Sequence, residues 1–234
     1  MTAQNEPKSL RFASYNIRKA KGLDQRRDPH RVLDVINCLE ADVVALQEAD
    51  MRLGARPSAL PRRLIEHETD FEVLNVATND VSLGWHGNAV LMRKGLHAKN
   101  IARIALPGLE PRGAVRFDLD MPRPVTVIAT HLGLARRHRL RQLETLVSEL
   151  SGSRDAMIMG DFNEWSTKRG FEPLEEDFDL LSPGHSFHAA RPIAALDKIA
   201  HRGGIKVADA GVDESKRARR ASDHLPIWAD VRVA

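Results

Sequence analysis

The 234-residue chain is predicted to fold as an α+β protein, with two mainly antiparallel sheets packed on each other and helices covering them from outside. Two observations carry this. Many short strand-like runs, several of them hairpin-like, are interrupted by only a few helical stretches. The run Val43-Val44-Ala45-Leu46 is apolar without alternation, as in a strand buried on both faces. No Pro/Gly/Ser-rich linker divides the chain, so residues 9–234 read as one domain behind a flexible tail of residues 1–8.

In order, 10–16 alternates apolar and polar residues and runs out at Asn16, before the basic loop Arg18-Lys19-Ala20-Lys21-Gly22. Asp28-Pro29 starts a helix to about residue 40, with Asp as cap, Pro in the first position, and Val32, Val35, Ile36 and Leu39 on one face. The run 43–46 ends at Gln47-Glu48. A helix over 57–67 and a strand over 71–76 come next, then Gly87-Asn88 ahead of strand 89–92 and an alternating strand over 112–119. The β-branched stretch 125–130 leads directly to His131. The clearest helix carries Leu140, Leu143, Leu146, Val147 and Leu150 and is closed by Gly152. Its first turn holds Arg136, Arg137, His138 and Arg139, which the helix dipole disfavours. Met157-Ile158-Met159 stops at Gly160-Asp161-Phe162-Asn163, 194–199 and 205–208 read as strands, and 213–220 as a charged loop. Ser222-Asp223-His224 introduces the last strand, 225–233.

Composition excludes more than it assigns. Hydrophobic content of 42% and charged content of 29% suit a globular protein, and the longest apolar runs are too short to span a bilayer. The first residues lack the apolar core of a secretory signal, which points to a cytoplasmic address. The single cysteine, Cys38, lies in a helical pattern, so an internal disulfide and a Cys-based zinc cluster are excluded and a cysteine nucleophile is disfavoured. No His-Glu-x-x-His, Gly-x-Ser-x-Gly or Gly-Lys-Ser/Thr phosphate-loop motif is present. The formal charge of +3 suits an anionic substrate without naming one. Nothing in the sequence indicates an oligomeric state.

Polar residues recur at strand ends: Asn16, Glu48, His131, Asp161 with Asn163, Asp197, and Asp223 with His224. Each alone also reads as a solvated strand end, a structural histidine or an Asx turn. Together they suit one rim of a layered sheet, where hard oxygen donors hold water, phosphate or Mg²⁺.

The segments Tyr15-Asn16-Ile17, Leu46-Gln47-Glu48, Gly87-Asn88-Ala89, Thr130-His131-Leu132-Gly133, Gly160-Asp161-Phe162-Asn163, Leu196-Asp197-Lys198-Ile199 and Ser222-Asp223-His224 resemble, in this order, the successive signatures of the endonuclease/exonuclease/phosphatase superfamily. The resemblance implies a four-layer α/β/β/α sandwich of DNase I-like type and Mg²⁺-dependent phosphoester hydrolysis, with Mn²⁺ as a substitute ion. It assigns the metal to Glu48, Asn16 and Asp223, the water to Asp161, and phosphate contacts to Asn163 and His131. His224 is implied as general base or transition-state donor, with Asp197 fixing its tautomer. Arg112 stands where superfamily nucleases often place a tyrosine, and suggests a bidentate phosphate contact.

The implied activity is that of a phosphodiesterase or nuclease, with water attacking in line. Nucleic acid is slightly favoured, by the basic run at 136–139 and by Lys216-Arg217-Ala218-Arg219-Arg220, a loop equally suited to an acidic membrane surface or to solvent. A sphingomyelinase-like enzyme cleaving a phospholipid head group or small diester is the rival reading, and a catalytically silent anion-binding module the reading of another class. Trp85 and Trp165 flank motif loops, suited to stacking on a base, touching lipid or packing at the rim.

Overall fold

The computed structural model describes residues 9–233; the expected tail over 1–8 lies outside them. Twelve strands form two six-stranded sheets. The strands are β1 Leu10–Asn16, β2 Val43–Gln47, β3 Phe71–Val73, β4 Ala89–Arg93, β5 Ala98–Leu106, β6 Arg112–Leu119, β7 Val125–His131, β8 Ala156–Asp161, β9 Asp179–Leu181, β10 Asp197–Arg202, β11 Ile205–Val212 and β12 Ile227–Val233. The first sheet runs β11-β12-β1-β2-β4-β3 and the second β5-β6-β7-β8-β10-β9. Each has one parallel pair, β1 with β2 and β7 with β8; the other pairs are antiparallel. The parallel pairs are joined by helical crossovers, α1 Pro29–Cys38 in the first sheet and α3 Arg136–Glu149 in the second. Such a crossover is what a parallel pair requires.

The period-2 alternation of side chains sorts the apolar residues into three cores. Leu10, Phe12, Val43 and Ala45 meet Val127, Ala129, Met157 and Met159 between the sheets. Ala13, Tyr15, Val44 and Leu46 face outward to Val32, Leu33 and Ile36 of α1 and Ile65 of α2 Arg62–Glu68. Ile128, Ala156 and Ile158 face Leu143 and Leu146 of α3 on the other side. The order is α/β/β/α, and central strands covered on both faces explain the unbroken apolar runs.

Sequence and structure part at several edges. The helix expected over 57–67 begins at Arg62, because 57–60 is drawn back to the loop after β2: Met51 N donates to Pro57 O (2.9 Å) and Ala59 N to Ala49 O (2.8 Å). The strand expected over 71–76 ends at Val73, that over 194–199 is shifted to start at Asp197, and that over 205–208 extends to Val212. β5 and β9 are sheet edges without clear alternation; β5 is mostly exposed and is interrupted between Lys99 and Ala102. Part of the charged loop 213–220 enters a short helix, α4 Ala218–Ala221. Cys38, the last residue of α1, is exposed rather than packed.

Gly160 sets the approach of β7 to β8. Its φ is +152°, and a Cβ there would lie 1.9 Å from the Thr130 carbonyl oxygen. No side chain fits without separating the parallel pair. Gly160→Ala is expected to lower stability by roughly 3 kcal/mol, at the large end for a single substitution; urea unfolding of the two proteins measures it, and a difference within experimental error would contradict the close approach.

Candidate active site

Strand parity delivers the site. Asn16 follows Phe12 and Ser14 on the inward face of β1, and His131 and Asp161 follow Ala129 and Met159 on the inward faces of β7 and β8. His131 is opposite Asp161 in the parallel register, and Asp197 is opposite Asp161 in the antiparallel one. All four side chains therefore point into the gap between the sheets, at the end where the apolar core stops, and all four residues are buried.

They converge on one oxygen. Asp161 Oδ2 accepts from Asn16 Nδ2 at 3.0 Å and has His131 Nε2 at 3.4 Å and His224 Nε2 at 3.7 Å. Asp161 Oδ1 accepts from the Asn163 backbone N–H at 2.9 Å. On its other side, His224 Nδ1 lies 2.8 Å from Asp197 Oδ2, which also accepts from Ser186 Oγ at 2.6 Å. Ser222 Oγ donates to the Asn16 carbonyl at 2.7 Å and fastens the loop carrying His224 to the end of β1. Phe187 stacks against the His224 ring at 4.9 Å.

The electrostatics follow from this enclosure. Burial raises Asp161 to about 6, with the charge of Asp197 adding and that of His224 opposing. Burial alone would lower His224, but the carboxylates of Asp197 and Asp161 outweigh it and raise the imidazole to about 9. His131 is held neutral, well below the usual histidine range, by burial and then by Arg112 and His224. At neutral pH the trio is a carboxylate, an imidazolium and a carboxylate. Asp161, Asp197 and His224 have ligand atoms all within 4.8 Å of one another. The short Asp197 contact orients the His224 ring within this group, which could hold a metal ion.

Glu48, expected at the metal, pairs with Lys19, and Arg52 NH2 is 3.5 Å from its other oxygen. Asp223 pairs with Arg18 at 3.2 Å. Asn16 Oδ1 accepts from the Arg18 N–H at 3.1 Å. Glu48 and Asp223 are hard oxygen donors at the rim, each with a cation against it. Glu48, Lys19, Arg52, Arg112 and His131 line a cleft of about 130 Å³. Arg112 is tied to Glu110 at 2.9 Å, with only 11% of its side chain exposed. Asn163 takes a φ of +52° and donates its amide to the Leu132 carbonyl at 2.9 Å.

Other residues had given no sequence signal. Ser186 and Phe187, in a loop without a motif, position Asp197 and His224. Glu164 receives both Arg136 (2.9 Å, bidentate) and Arg139 (2.6 Å), which moors the loop after Asp161 to α3. The basic first turn of α3 thus faces an internal carboxylate. In the basic loop, Arg217 reaches Cys38 and Arg219 reaches Glu214 and the Ala189 carbonyl, leaving Lys216 and Arg220 directed to solvent. Trp85 is partly packed, its indole donating to the Ile104 carbonyl at 3.1 Å, whereas Trp165 is 59% exposed beside Phe187.

The Endonuclease/Exonuclease/phosphatase family model matches residues 13–224. The chain belongs to the endonuclease/exonuclease/phosphatase family. Uncharacterized protein YbhP of Escherichia coli (strain K12) is 26% identical over the whole of both chains. Among solved structures, the endonuclease/exonuclease/phosphatase from Beutenbergia cavernae DSM 12333 superposes with a TM-score of 0.74 at 22% identity, over 97% of this chain and 72% of that one. D. rerio TDP2 complexed with single strand DNA product gives 0.74 at 14% identity, over 96% and 99%. The fold is the DNase I-like sandwich of this family, whose members are phosphoesterase hydrolases that generally use a divalent metal. No helix of the described residues is long and apolar enough to cross a membrane.

The His224 protonation has a stability signature in metal-free protein. Its folded pKa, about 9, lies above the ordinary 6.5, so the stabilisation is complete below about pH 6.5 and is lost as the pH rises through 9. The loss is on the order of 3 kcal/mol. Urea unfolding from pH 6 to 9.5 should show this fall, much reduced in Asp197→Asn; equal falls in both proteins would contradict the assignment.

Proposed function

We propose that this protein is a Mg²⁺-dependent phosphodiesterase in which Asp161 and His224 work on water and phosphate at the mouth between the two sheets. The observation that carries the reading is the convergence of Asn16, His131 and His224 on Asp161 Oδ2, backed by Asp197. A carboxylate raised to about 6 is ionised at neutral pH yet basic enough to accept a proton from an attacking water. Asn16 and the Asn163 backbone N–H hold it in place. His224, protonated and anchored by Asp197, donates toward the charge that builds on the phosphate oxygens. Neutral His131 offers a second donor, and Arg112, held by Glu110, turns a guanidinium into the same cleft. Glu48 is the principal metal carboxylate, with Asn16 and Asp223 near it, and Lys19 and Arg18 occupy the cationic positions beside these acids. Bound there, Mg²⁺ supplies Lewis-acid stabilisation of the phosphoryl oxygens, and Mn²⁺ can substitute.

For the substrate, a nucleic-acid or nucleotide diester is favoured over a phospholipid head group. The exposed Trp165 edge beside Phe187 and His224 offers a face for a base, and the TDP2 structure was solved with a single strand DNA product. Lys216 and Arg220 remain free to meet a polyanion or an acidic membrane. The reading is of a soluble, cytoplasmic enzyme; a silent anion-binding module is the outcome if no turnover is found.

With Mg²⁺, the protein is expected to hydrolyse bis(p-nitrophenyl) phosphate, and EDTA to abolish the reaction. Asp161→Ala and His224→Ala should each lower kcat by roughly 10²-fold or more. Full activity in either variant would refute the assigned roles. Absence of turnover with chromogenic diester, single-stranded DNA, duplex DNA, RNA and phospholipid would refute the enzyme. If the substrate is a polynucleotide, log KM should rise steeply with log salt, and replacing Lys216 and Arg220 by Gln should flatten that slope; a flat wild-type slope would favour a head-group substrate.

A further inference from the structure

The cleft carries charge that the hydrolytic reading leaves unused. Lys19, Arg52, Arg56 and Arg112 are the lysine and arginines of its lining, against the carboxylates of Glu48, Asp50 and Glu110. Three of the cations have acidic partners: Lys19 and Arg52 meet Glu48, and Arg112 meets Glu110. Asp50 is satisfied by main chain, accepting from the N–H groups of Leu83 (2.6 Å) and Gly84 (3.2 Å).

Arg56 is different. Among the described residues no carboxylate lies within ion-pair distance of it, and its Nε is enclosed without a hydrogen-bond partner. Its one side-chain hydrogen bond runs from NH1 to Nδ1 of His86 at 2.8 Å. A guanidinium has only donors, so His86 must accept there and be neutral at that nitrogen. Burial, and then the charge of Arg56, hold His86 below its usual pKa. The ring is fixed from behind: Trp85 meets it edge-on at 4.3 Å, and even a Cβ on Gly113, next to Arg112, would come within 2.9 Å of it. Arg56 itself takes a φ of +56°, a conformation that costs a non-glycine residue energy. An arginine that lines the cleft without a carboxylate partner, on a strained residue and aimed by a fixed neutral histidine, is arranged for an anion that the protein does not supply.

We propose that the Arg56–His86 corner is a second anion subsite, which receives a phosphomonoester group of the substrate other than the phosphate that is hydrolysed. This rests on the phosphodiesterase reading and narrows it to diesters that carry a terminal phosphate nearby. Arg52, 66% exposed at the side chain, stands at the entrance and can turn from Glu48 to the same group. The small volume of the cleft keeps both anion positions within reach of one small substrate.

The test compares a thymidine dinucleotide with and without a 5′-terminal phosphate, in the full-length protein with Mg²⁺. Wild type is expected to prefer the phosphorylated diester by roughly tenfold or more in kcat/KM, the scale of one charge-assisted hydrogen bond, and Arg56→Gln to bring the ratio near one. Arg56→Lys, which keeps the charge and loses the fork, should fall between and serves if the Gln variant does not fold. A separate arm needs no turnover: affinity for inorganic phosphate, measured calorimetrically on metal-free protein, should drop roughly tenfold in Arg56→Gln. Unchanged phosphate affinity, or a ratio near one in wild type, overturns the subsite. Loss of phosphate affinity in a protein that hydrolyses neither dinucleotide supports the subsite and counts against the diesterase reading instead.

Discussion

One carboxylate oxygen, Asp161 Oδ2, is the point on which the site depends. Three side chains from three separate segments meet it, and the close parallel pairing of β7 with β8 at Gly160 sets His131 beside it. Both sheets contribute: Asn16 from the first, His131 and Asp161 from the second, and His224 from the loop that returns to the first. A sandwich whose apolar interior is closed along its length opens here, and the polar residues that end four inward-facing strand rows fill the opening. The candidate site is thus the rim of the hydrophobic core, continued in a different chemistry.

Enclosure of these groups decides their protonation. A carboxylate deprived of water would be neutral at neutral pH if it stood alone; with the imidazolium of His224 beside it, Asp161 is raised only to about 6. Asp197 matters through His224, since its short contact keeps the ring charged and oriented. Outside this buried trio the charges are of another kind: Glu48 and Asp223 are partly open and neutralised by Lys19 and Arg18, an arrangement that a divalent ion can replace without leaving a buried charge unpaired.

Much of this was legible in the sequence, for a physical reason. Strands buried on both faces read as unbroken apolar runs, and where such a run ends in Gln47-Glu48, His131 or Gly160-Asp161, as where the alternating strand 10–16 ends in Asn16, the change of chemistry marks the rim. Inward parity puts Asn16 and Asp161 on the faces that meet between the sheets, and the packing of β1 over β8 brings them together. What stayed hidden depends on long-range packing. β5 is an edge strand, exposed and broken in register, and has no alternation to betray it. Ser186 and Phe187 sit in an irregular loop, and their contacts with Asp197 and His224 have no local pattern. The arginines opening α3 read as a basic run suited to nucleic acid, because their partner, Glu164, lies on another element. Glu48 was legible as a polar strand end, but its pairing with Lys19 depends on a left-handed turn at 18–20 that residue types alone do not indicate.

The claim at the centre is that a water held by Asp161 attacks phosphorus directly. Hydrolysis of a chromogenic phosphodiester in H₂¹⁸O under single-turnover conditions tests it. Direct attack places one ¹⁸O atom in the phosphomonoester product and none in the released alcohol. Label in the alcohol, or an unlabelled phosphomonoester in the first turnover, as hydrolysis of an aspartyl phosphate at its carbonyl carbon would give, would contradict it.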